Sequence, residues 1–262
     1  MPRYDFHTPR LYVDAPLAAG AEVIFDRNQT NYLRTVLRLG QGDTVLLFNG
    51  RDGEWRASLS AAQKRTLSAT TGEQLRTQPA PTDLHFMFAP LKHARLDYMV
   101  QKAVEMGASL LQPVITRHTQ VARVNLERMR ANVIEAAEQC GVLQVPQVAA
   151  PLPLERVVHD SDRLLVFCDE SADVADPIVA LAATRPPGAR LAILIGPEGG
   201  FAEEERAVLL KRQKVVRIAL GPRILRADTA AVAVLALVQA VLGDWKGRSI
   251  SGTEATVRQK LC

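Results

Sequence analysis

The 262-residue sequence has few cysteines, few aromatic side chains and no long uninterrupted hydrophobic segment. Its three cysteines, Cys140, Cys168 and Cys262, form no CxxC pair, and its five histidines show no metal-ligand spacing. These patterns argue against a disulfide framework and against a bound metal. The longest apolar segment, Thr229–Gly243, contains Gln239 and is shorter than the roughly 20 residues of a membrane-spanning helix. The N-terminal residues lack the apolar core of a signal peptide, so we expect a cytoplasmic protein without a membrane partner.

The overall composition is that of an ordinary folded protein. Hydrophobic residues make up 47% of the chain and charged residues 23%, both close to the average for globular domains. Because aromatic residues make up only 5%, aliphatic side chains must fill most of the core. The net charge of +4 is too small to indicate nucleic-acid binding by itself. The length allows one large domain or two small ones.

Residues 1–76 show the pattern of a small β-rich domain. Four segments are predicted to be strands: Ala21–Phe25, Asp43–Phe48, Glu54–Leu59 and Leu67–Leu75. The second and third are separated by a turn-rich sequence, which predicts a β-hairpin. Apolar residues at helical spacing predict a helix over Asn28–Leu39. Residues 77–82 contain two prolines and no apolar periodicity, so we interpret them as a linker.

Strand and helix patterns alternate between residues 77 and 245, and residues 246–262 form a tail. The predicted strands are Leu84–Ala89, Leu110–Ile115, Leu164–Cys168, Leu191–Ile195 and Val215–Leu220. The predicted helices are Ala94–Met106, Asn125–Gln139, Asp176–Ala183, Ala202–Arg212 and Asp228–Leu242. Continuous apolar strands that alternate with helices are typical of an α/β fold, in which helices cover both faces of a parallel sheet.

A glycine-rich turn follows the predicted strand Leu191–Ile195. Ligands of α/β sheets bind at the carboxyl ends of strands, and Gly196, Gly199 and Gly200 would allow a ligand to approach the backbone closely. The turn is neither a GxGxxG motif nor a Walker A loop, and the glutamates at 203–205 would repel a phosphate. The pattern favours a nucleotide that has no phosphates or carries a positive centre. A tight turn without a ligand explains the glycines equally well.

A second loop, Leu220–Arg226, also follows a predicted strand and precedes a helix. Asp228 is the predicted N-cap of that helix. Arg223 and Arg226 are then left on a loop at the edge of the sheet. Taken alone, this loop is best interpreted as two solvated arginines beside a capped helix. Two such loops, each between a strand and a helix, are a more specific signal of a ligand site than either loop alone.

Together, these loops resemble those of a known enzyme class. The strand–GPEGG–helix segment, followed about twenty residues later by LGPRILRADTA, resembles the SPOUT class of S-adenosylmethionine-dependent RNA methyltransferases. Within this class the sequence is most similar to the ribosomal RNA small subunit methyltransferase E family. NYLRTVLRLG at 31–40, GDTVLLFNG at 42–50 and QKAVEMG at 101–107 also look like motifs of that family, so the resemblance covers nearly the whole chain.

The resemblance implies a fold, a reaction and partners. The fold would be a PUA-like β-barrel RNA-binding domain at 1–76 and a SPOUT trefoil-knot domain at 77–245. The reaction would be methylation of N3 of a uridine in 16S rRNA of the small ribosomal subunit, with S-adenosylmethionine as cofactor and a homodimer as the working form. The implied cofactor-binding residues are Phe167, Glu170, Gly196, Glu198, Gly199, Gly200, Leu220, Ile224, Leu225 and Thr229.

Arg226 is the predicted catalytic residue, because a cation beside the uracil carbonyls would favour loss of the N3 proton. Phosphates of the RNA need basic residues that hold it in register. The candidates are Arg10, Arg34, Arg38, Lys92, Arg117 and Arg123. Two positions depart from the family pattern: Asp228 stands where glutamate is usual, and Val142 stands where arginine is usual. Either Arg117 or Arg123 could replace the missing arginine.

Three other functions remain open from the sequence. The chain could be a SPOUT methyltransferase with another RNA target, a non-catalytic RNA-binding protein of the same fold, or an enzyme that uses an adenine nucleotide. The PUA-like match disfavours the first, and the intact glycine loop disfavours the second. The missing phosphate motif disfavours the third.

Overall fold

We describe the protein from a computed structural model, which covers residues 7–63, 66–121, 123–158, 162–173, 176–184 and 190–245. The predicted tail at 246–262 and its cysteine lie outside the described residues. None of the described helices is long and apolar enough to cross a membrane.

The first domain is built on a five-stranded sheet. Its strands are β1 (Arg10–Tyr12), β2 (Glu22–Ile24), β3 (Thr44–Phe48), β4 (Glu54–Gln63) and β5 (Thr66–Arg76), in the spatial order β1-β3-β4-β5-β2. β1 is parallel to β3 and the other neighbours are antiparallel. All four predicted strands are present. The three-residue β1 was not predicted, because a segment this short carries little periodicity.

The predicted helix over Asn28–Leu39 is only partly correct. The structure has a short helix α1 (Arg27–Asn31), capped by Asp26, which runs directly into a π-helical turn at Tyr32–Val36. Arg38 then adopts a left-handed conformation with φ of 58°, which ends the helix. This local unwinding lets the leucines at 37 and 39 pack against the core of the first domain. The predicted regular helix, which ended at Leu39, did not include this unwinding.

The second domain is built on a parallel sheet, as predicted. Its strands are β6 (Leu84–Phe88), β7 (Leu110–Ile115), β8 (Gln147–Val148), β9 (Leu152–Pro153), β10 (Leu164–Cys168), β11 (Leu191–Ile195) and β12 (Val215–Ile218). The order is β12-β10-β11-β6-β7-β8, with β9 also on β7, and every pairing is parallel.

Six helices surround this sheet: α2 (His93–Glu105), α3 (Leu126–Cys140), α4 (Leu154–Val158), α5 (Pro177–Ala183), α6 (Glu203–Leu210) and α7 (Ala227–Val241). Strand side chains alternate between the two faces, as a pleated sheet requires. Val166 and Ile193 belong to the core beneath α2, α3 and α7. Leu165 and Leu194 belong to the core beneath α4 and α6. The sheet is therefore covered on both faces; the knot stays a prediction.

The helix caps agree with the sequence in two places and differ in one. Asn125 caps α3 through its side chain, and Gly141 ends that helix with φ of 70°. The predicted N-cap of α7 is wrong: Arg226 occupies the cap position with extended backbone, and Asp228 lies inside the first turn. The helix thus begins one residue earlier than predicted, directly after the arginine of the candidate site.

A buried ion cluster joins the two domains. Arg10 donates to Glu54 over 2.6 Å, and Arg76 donates to both oxygens of the same carboxylate over 2.7 Å. The two guanidinium groups also donate to backbone carbonyls at 138, 141 and 142, at the C-terminal end of α3. The prediction that Arg10 binds RNA is therefore corrected, because its side chain is only 3% exposed and already occupied between the domains.

Candidate active site

Three loops meet at the carboxyl edge of the parallel sheet. They follow β10, β11 and β12 and span residues 169–173, 196–202 and 219–226. Because β10 lies between β11 and β12, its loop is flanked by the other two. The predicted cofactor-binding residues lie on these loops or directly beside them. The topology therefore brings together three segments spread over about fifty residues of sequence, at the edge where α/β sheets bind ligands.

The glycine loop is tightly packed from beneath. A Cβ at Gly196 would lie 2.5 Å from the ring of Phe201. That ring packs edge-to-face against Phe167 with centroids 5.1 Å apart. Gly200 has φ of 70°, and a Cβ there would lie 2.6 Å from Oε1 of Glu170. Gly196 and Gly200 are thus required by the loop itself.

The side chain of Phe167 lies beneath the glycine loop, so the predicted cofactor contact of this residue is left to its backbone. Its side chain is fully buried in the core beneath α6. The aromatic ring therefore supports the glycine loop from below and is not available to a ligand at the edge of the sheet.

The sequence interpretation missed a buried acidic hub at Asp169. Its carboxylate is completely buried and accepts from Nε of Arg217 over 2.7 Å. Nε of Arg206 lies 3.3 Å from the other carboxylate oxygen. The guanidinium of Arg206 also donates to Glu170 over 2.7 Å, so it links the loop after β10 to the helix after the glycine loop. An aspartate directly after an apolar strand was the available signal.

Two further ion pairs hold the glycine loop from the side of β6 and β7. Arg95 of α2 pairs with Glu198. The ring of His118 contacts the carbonyl of Gly200 over 3.2 Å. The backbone N–H of Arg117 donates to Glu205 over 2.8 Å, and its guanidinium pairs with Glu204. Arg117, a predicted RNA contact, is thus partly engaged with the helix after the loop.

The loop after β12 is the most open part of the site. Ile224 is 95% exposed, and Leu220 and Leu225 are half-buried. Thr229 is exposed in the first turn of α7. Arg226 is exposed, and no hydrogen bond or ion pair joins its side chain to another described residue. Its charge is therefore available at the sheet edge.

The remaining predicted RNA contacts are surface cations in both domains. Arg34 and Arg38 are exposed on and just after the π-helical turn. Lys92 is exposed at the N-cap of α2, and Arg123 is exposed just before α3. Within the described chain none of the four side chains forms an ion pair. Among the described residues, no group of three or more His, Cys, Asp or Glu side chains could hold a metal ion.

Comparison with known proteins finds two family models that match this chain. An RNA methyltransferase domain model matches residues 78–239, and an RNA methyltransferase PUA domain model matches residues 25–71. A ribosomal RNA small subunit methyltransferase E from Rickettsia conorii is 31% identical over 231 residues, which cover 88% of this chain and 94% of that protein. The Synechocystis protein of the same name is 32% identical over 89% of this chain and 78% of its own length.

Solved structures agree with these matches. The ribosomal RNA small subunit methyltransferase E of Neisseria gonorrhoeae, bound to S-adenosyl methionine, is 28% identical with a TM-score of 0.80, covering 92% of this chain and all of that one. A Legionella pneumophila protein solved with bound SAM is 29% identical, also with a TM-score of 0.80, over 91% of this chain and 99% of that one. The chain therefore belongs to the ribosomal RNA small subunit methyltransferase E family.

Proposed function

We propose that this protein transfers a methyl group from S-adenosylmethionine to N3 of a uridine in 16S rRNA of the small ribosomal subunit, in the cytoplasm. The observation that carries the proposal is the meeting of three loops at one sheet edge, with the unpaired Arg226 beside them. The Neisseria relative of similar fold was solved with this cofactor.

The chemistry of the three loops fits the cofactor. The carboxylates of Glu170 and Glu198 at the edge are paired with Arg206 and Arg95, and the first turn of α6 carries three further glutamates, which disfavour a phosphate. The half-buried Leu220 and Leu225 offer an apolar wall to an adenine ring. We assign cofactor binding to the loop residues Gly196, Glu198, Gly199, Gly200, Leu220, Ile224 and Leu225, with Thr229 at the start of α7, while the ring of Phe167 supports the glycine loop from below.

Methyl transfer to N3 requires loss of the N3 proton. When bound, S-adenosylmethionine supplies an activated methyl group. The protein then has to orient the base and favour its deprotonated form. A guanidinium close to the uracil carbonyls lowers the N3 pKa, because it stabilises the negative charge that develops there. Arg226 is suited to this task, since no described carboxylate neutralises it.

The variant Arg226→Ala tests this role. Methyl transfer to small subunits that lack the modification should fall by roughly 10²–10³-fold, the usual loss when one stabilising donor is removed. Cofactor affinity, measured by calorimetry, should remain unchanged. The helix should also survive, because the backbone of Arg226 and not its side chain occupies the N-cap. Arg223→Ala removes a neighbouring exposed charge and serves as the matched control.

Mass spectrometry of digested nucleosides identifies the product. A 3-methyluridine product from the wild-type protein supports the reaction. Another methylated nucleoside would redirect the protein to a different RNA target. An equal loss of cofactor affinity and methyl transfer in Arg226→Ala would contradict the catalytic assignment.

We further propose that the RNA is held by cations of both domains. Arg34 and Arg38 would contact phosphates from the first domain, and Lys92, Arg117 and Arg123 from the second. Phosphate contacts of this kind set the register of the RNA without reading its sequence. All five residues are exposed, as such contacts require.

A homodimer is the proposed working form. Ile178 and Val179 are exposed on α5, which packs against the strongly apolar α7. Burial of such apolar surface favours association. Sedimentation equilibrium is expected to give twice the monomer mass at micromolar concentration. A monomer mass over the whole accessible concentration range would contradict this expectation.

A further inference from the structure

A small cleft lies beside the glycine loop, at the carboxyl ends of β6 and β7. It is bounded by α2, by α3 and by the segments that precede these two helices. Its volume is about 180 Å³. The lining residues are Leu91, Lys92, Leu96, Asp97, Val100, Val121, Arg123, Val124, Asn125, Arg128 and Met129. None of them belongs to the three loops assigned to the cofactor, so we name it separately as the α2–α3 cleft.

The walls of the α2–α3 cleft are apolar and its size suits one ring. Leu91, Val100 and Met129 are buried beneath it, and Val121 and Val124 are half-buried at its side. An apolar cavity of about 150 Å³ can bind a benzene ring. Drug-sized ligands need about 300 Å³ or more. The α2–α3 cleft is therefore too small for a complete nucleotide cofactor, but it can accept a single base.

The rim of the α2–α3 cleft is positively charged. Lys92 and Arg123 stand on it, exposed and without an ion-pair partner in the described chain. Asp97 is the one carboxylate among the lining residues, and its charge is already matched. Arg128 donates to it over 2.6 Å and Asn132 over 2.6 Å. The free charge at the rim is positive, which complements a phosphate next to an inserted base.

The cleft is near the proposed active site but does not coincide with it. The strand β6 is the neighbour of β11, and Arg95 of α2 pairs with Glu198 in the glycine loop. Arg226 follows β12, which is three strand positions from β6. At about 4.8 Å per strand, the end of β6 lies on the order of 14 Å from the end of β12, where the catalytic loop begins. A base in the cleft would thus be a neighbour of the base that reacts.

We propose that the α2–α3 cleft binds an unpaired nucleotide of the substrate RNA that flanks the target uridine, with its base among the apolar walls and its phosphate at Lys92 and Arg123. The inference rests on the proposed function and adds a second anchoring point to it. Sequence-specific RNA recognition commonly splays unstacked bases into such pockets. Two fixed nucleotides would define the direction of the strand across the site.

Two kinds of variant test the cleft. Lys92→Gln combined with Arg123→Gln removes the rim charge, and Val121→Phe fills the cleft without changing charge. We expect each to raise KM for small ribosomal subunits about tenfold with unchanged cofactor affinity. The charge variant should also make the salt dependence of RNA affinity shallower by about 0.7, the value for one single-strand phosphate contact. The filled variant should leave that slope unchanged.

The matched control is Arg130→Gln, which removes an exposed charge from the same helix α3 outside the cleft. It should leave both KM and the salt slope unchanged. Equal effects of the control and the cleft variants would overturn the proposal, because they would show only a general electrostatic contribution. An unchanged KM in Val121→Phe would overturn it as well.

Ultraviolet cross-linking of the enzyme–subunit complex, with peptide mapping, identifies the occupant. The expected result is a nucleotide other than the methylated uridine attached to peptides that contain residues 91–100 or 121–129. Attachment of the methylated uridine itself would make the cleft the target pocket and overturn the assignment. If the wild-type protein forms no 3-methyluridine, the proposed reaction fails, while the cross-link and salt slope still decide whether RNA occupies the cleft.

Discussion

Cys168 stands at the end of β10, directly before the acidic hub of the active site. Burial, reinforced by the neighbouring Asp169, raises the pKa of its thiol to about 12. Only the thiolate is an effective nucleophile, and a shift of this size lowers the thiolate population roughly a thousandfold relative to an ordinary cysteine. The residue therefore acts as a small core side chain.

This pKa predicts selective alkylation. In the native protein at pH 8, iodoacetamide should modify the exposed Cys140 and leave Cys168 intact, as read by peptide mass spectrometry. Burial also raises the pKa of Cys140, with a further contribution from Glu105, so its reaction should be slow but measurable. After denaturation both should react. Native modification of Cys168 at a rate similar to Cys140 would contradict the raised pKa of its thiol.

Arg10 and Arg226 show that the local sequence around an arginine does not reveal whether its side chain is exposed or buried. Both are arginines near short turn or strand signals, and sequence reasoning gave each a role in RNA chemistry. The structure leaves Arg226 exposed at the sheet edge but closes Arg10 between two domains. The difference depends on Glu54 and on the end of α3, which are 44 or more residues away. Long-range partners of this kind leave no local pattern.

At the scale of elements, the glycine loop allows a sharp comparison of three alanine variants. Gly196→Ala should displace the Phe201 ring, and Gly200→Ala should strain a left-handed backbone and press on Glu170. Each should lower the free energy of unfolding by about 1–3 kcal/mol. At Gly199 the nearest atom to a new Cβ is 3.4 Å away, on His118, so Gly199→Ala should change stability by less than about 0.5 kcal/mol.

Urea unfolding of the three variants measures these differences. A similar loss of unfolding free energy in all three variants would show that the loop tolerates no side chain at any of these glycines. That result would contradict the distinction between Gly199, where a Cβ has space, and the other two positions. If Gly199→Ala is stable but binds the cofactor weakly, that glycine is needed for the ligand and not for the fold.

Long periodic elements were predictable from sequence, and short or irregular ones were not. The strands β10 and β11 lie at the predicted residues, because continuous apolar runs bounded by polar residues specify them. The two-residue strands β8 and β9 have no period to detect. The π-helical turn at Tyr32–Val36 depends on the packing of leucines against the first-domain core. The site was found through its glycines, whereas the hub at Asp169 depends on arginines from α6 and β12.

At the scale of the whole molecule, the two domains are one folding unit. Phe48 of the first domain belongs to the hydrophobic core of the second, and the guanidinium of Arg10 lies 4.3 Å from the centre of its ring. The cluster of Arg10, Glu54 and Arg76 lies over the same junction. Positive charge at the C-terminal end of α3 is also favourable because of the helix dipole. The first domain is thus held in a fixed position relative to the three loops at the sheet edge.

The variant Arg10→Met tests this junction. It leaves Glu54 buried with Arg76 as its remaining partner, so the loss of the charged hydrogen bonds of Arg10 should cost about 1.5–3 kcal/mol of unfolding free energy. With the junction weakened, calorimetry should show two separated transitions where the wild-type protein shows one. The matched control is Arg56→Met, which breaks the exposed pair with Glu73 and should cost less than about 1 kcal/mol. A single unshifted transition in Arg10→Met would contradict the coupling.

The pH dependence of the stability difference between wild type and Arg10→Met separates the electrostatic contribution of Arg10 from its packing contribution. Burial alone would raise the pKa of Glu54, but the hydrogen bonds from Arg76 and Arg10 outweigh it and hold the pKa below its usual value. A carboxylate with a lowered folded pKa contributes its full stability above the unfolded pKa of about 4.3 and loses it as pH falls through the folded value. The stability difference between wild type and Arg10→Met should therefore be largest above pH 4.3 and shrink below it. A difference that stays constant from pH 7 to pH 3 would assign the loss to the contact of Arg10 with Phe48, because that packing does not titrate.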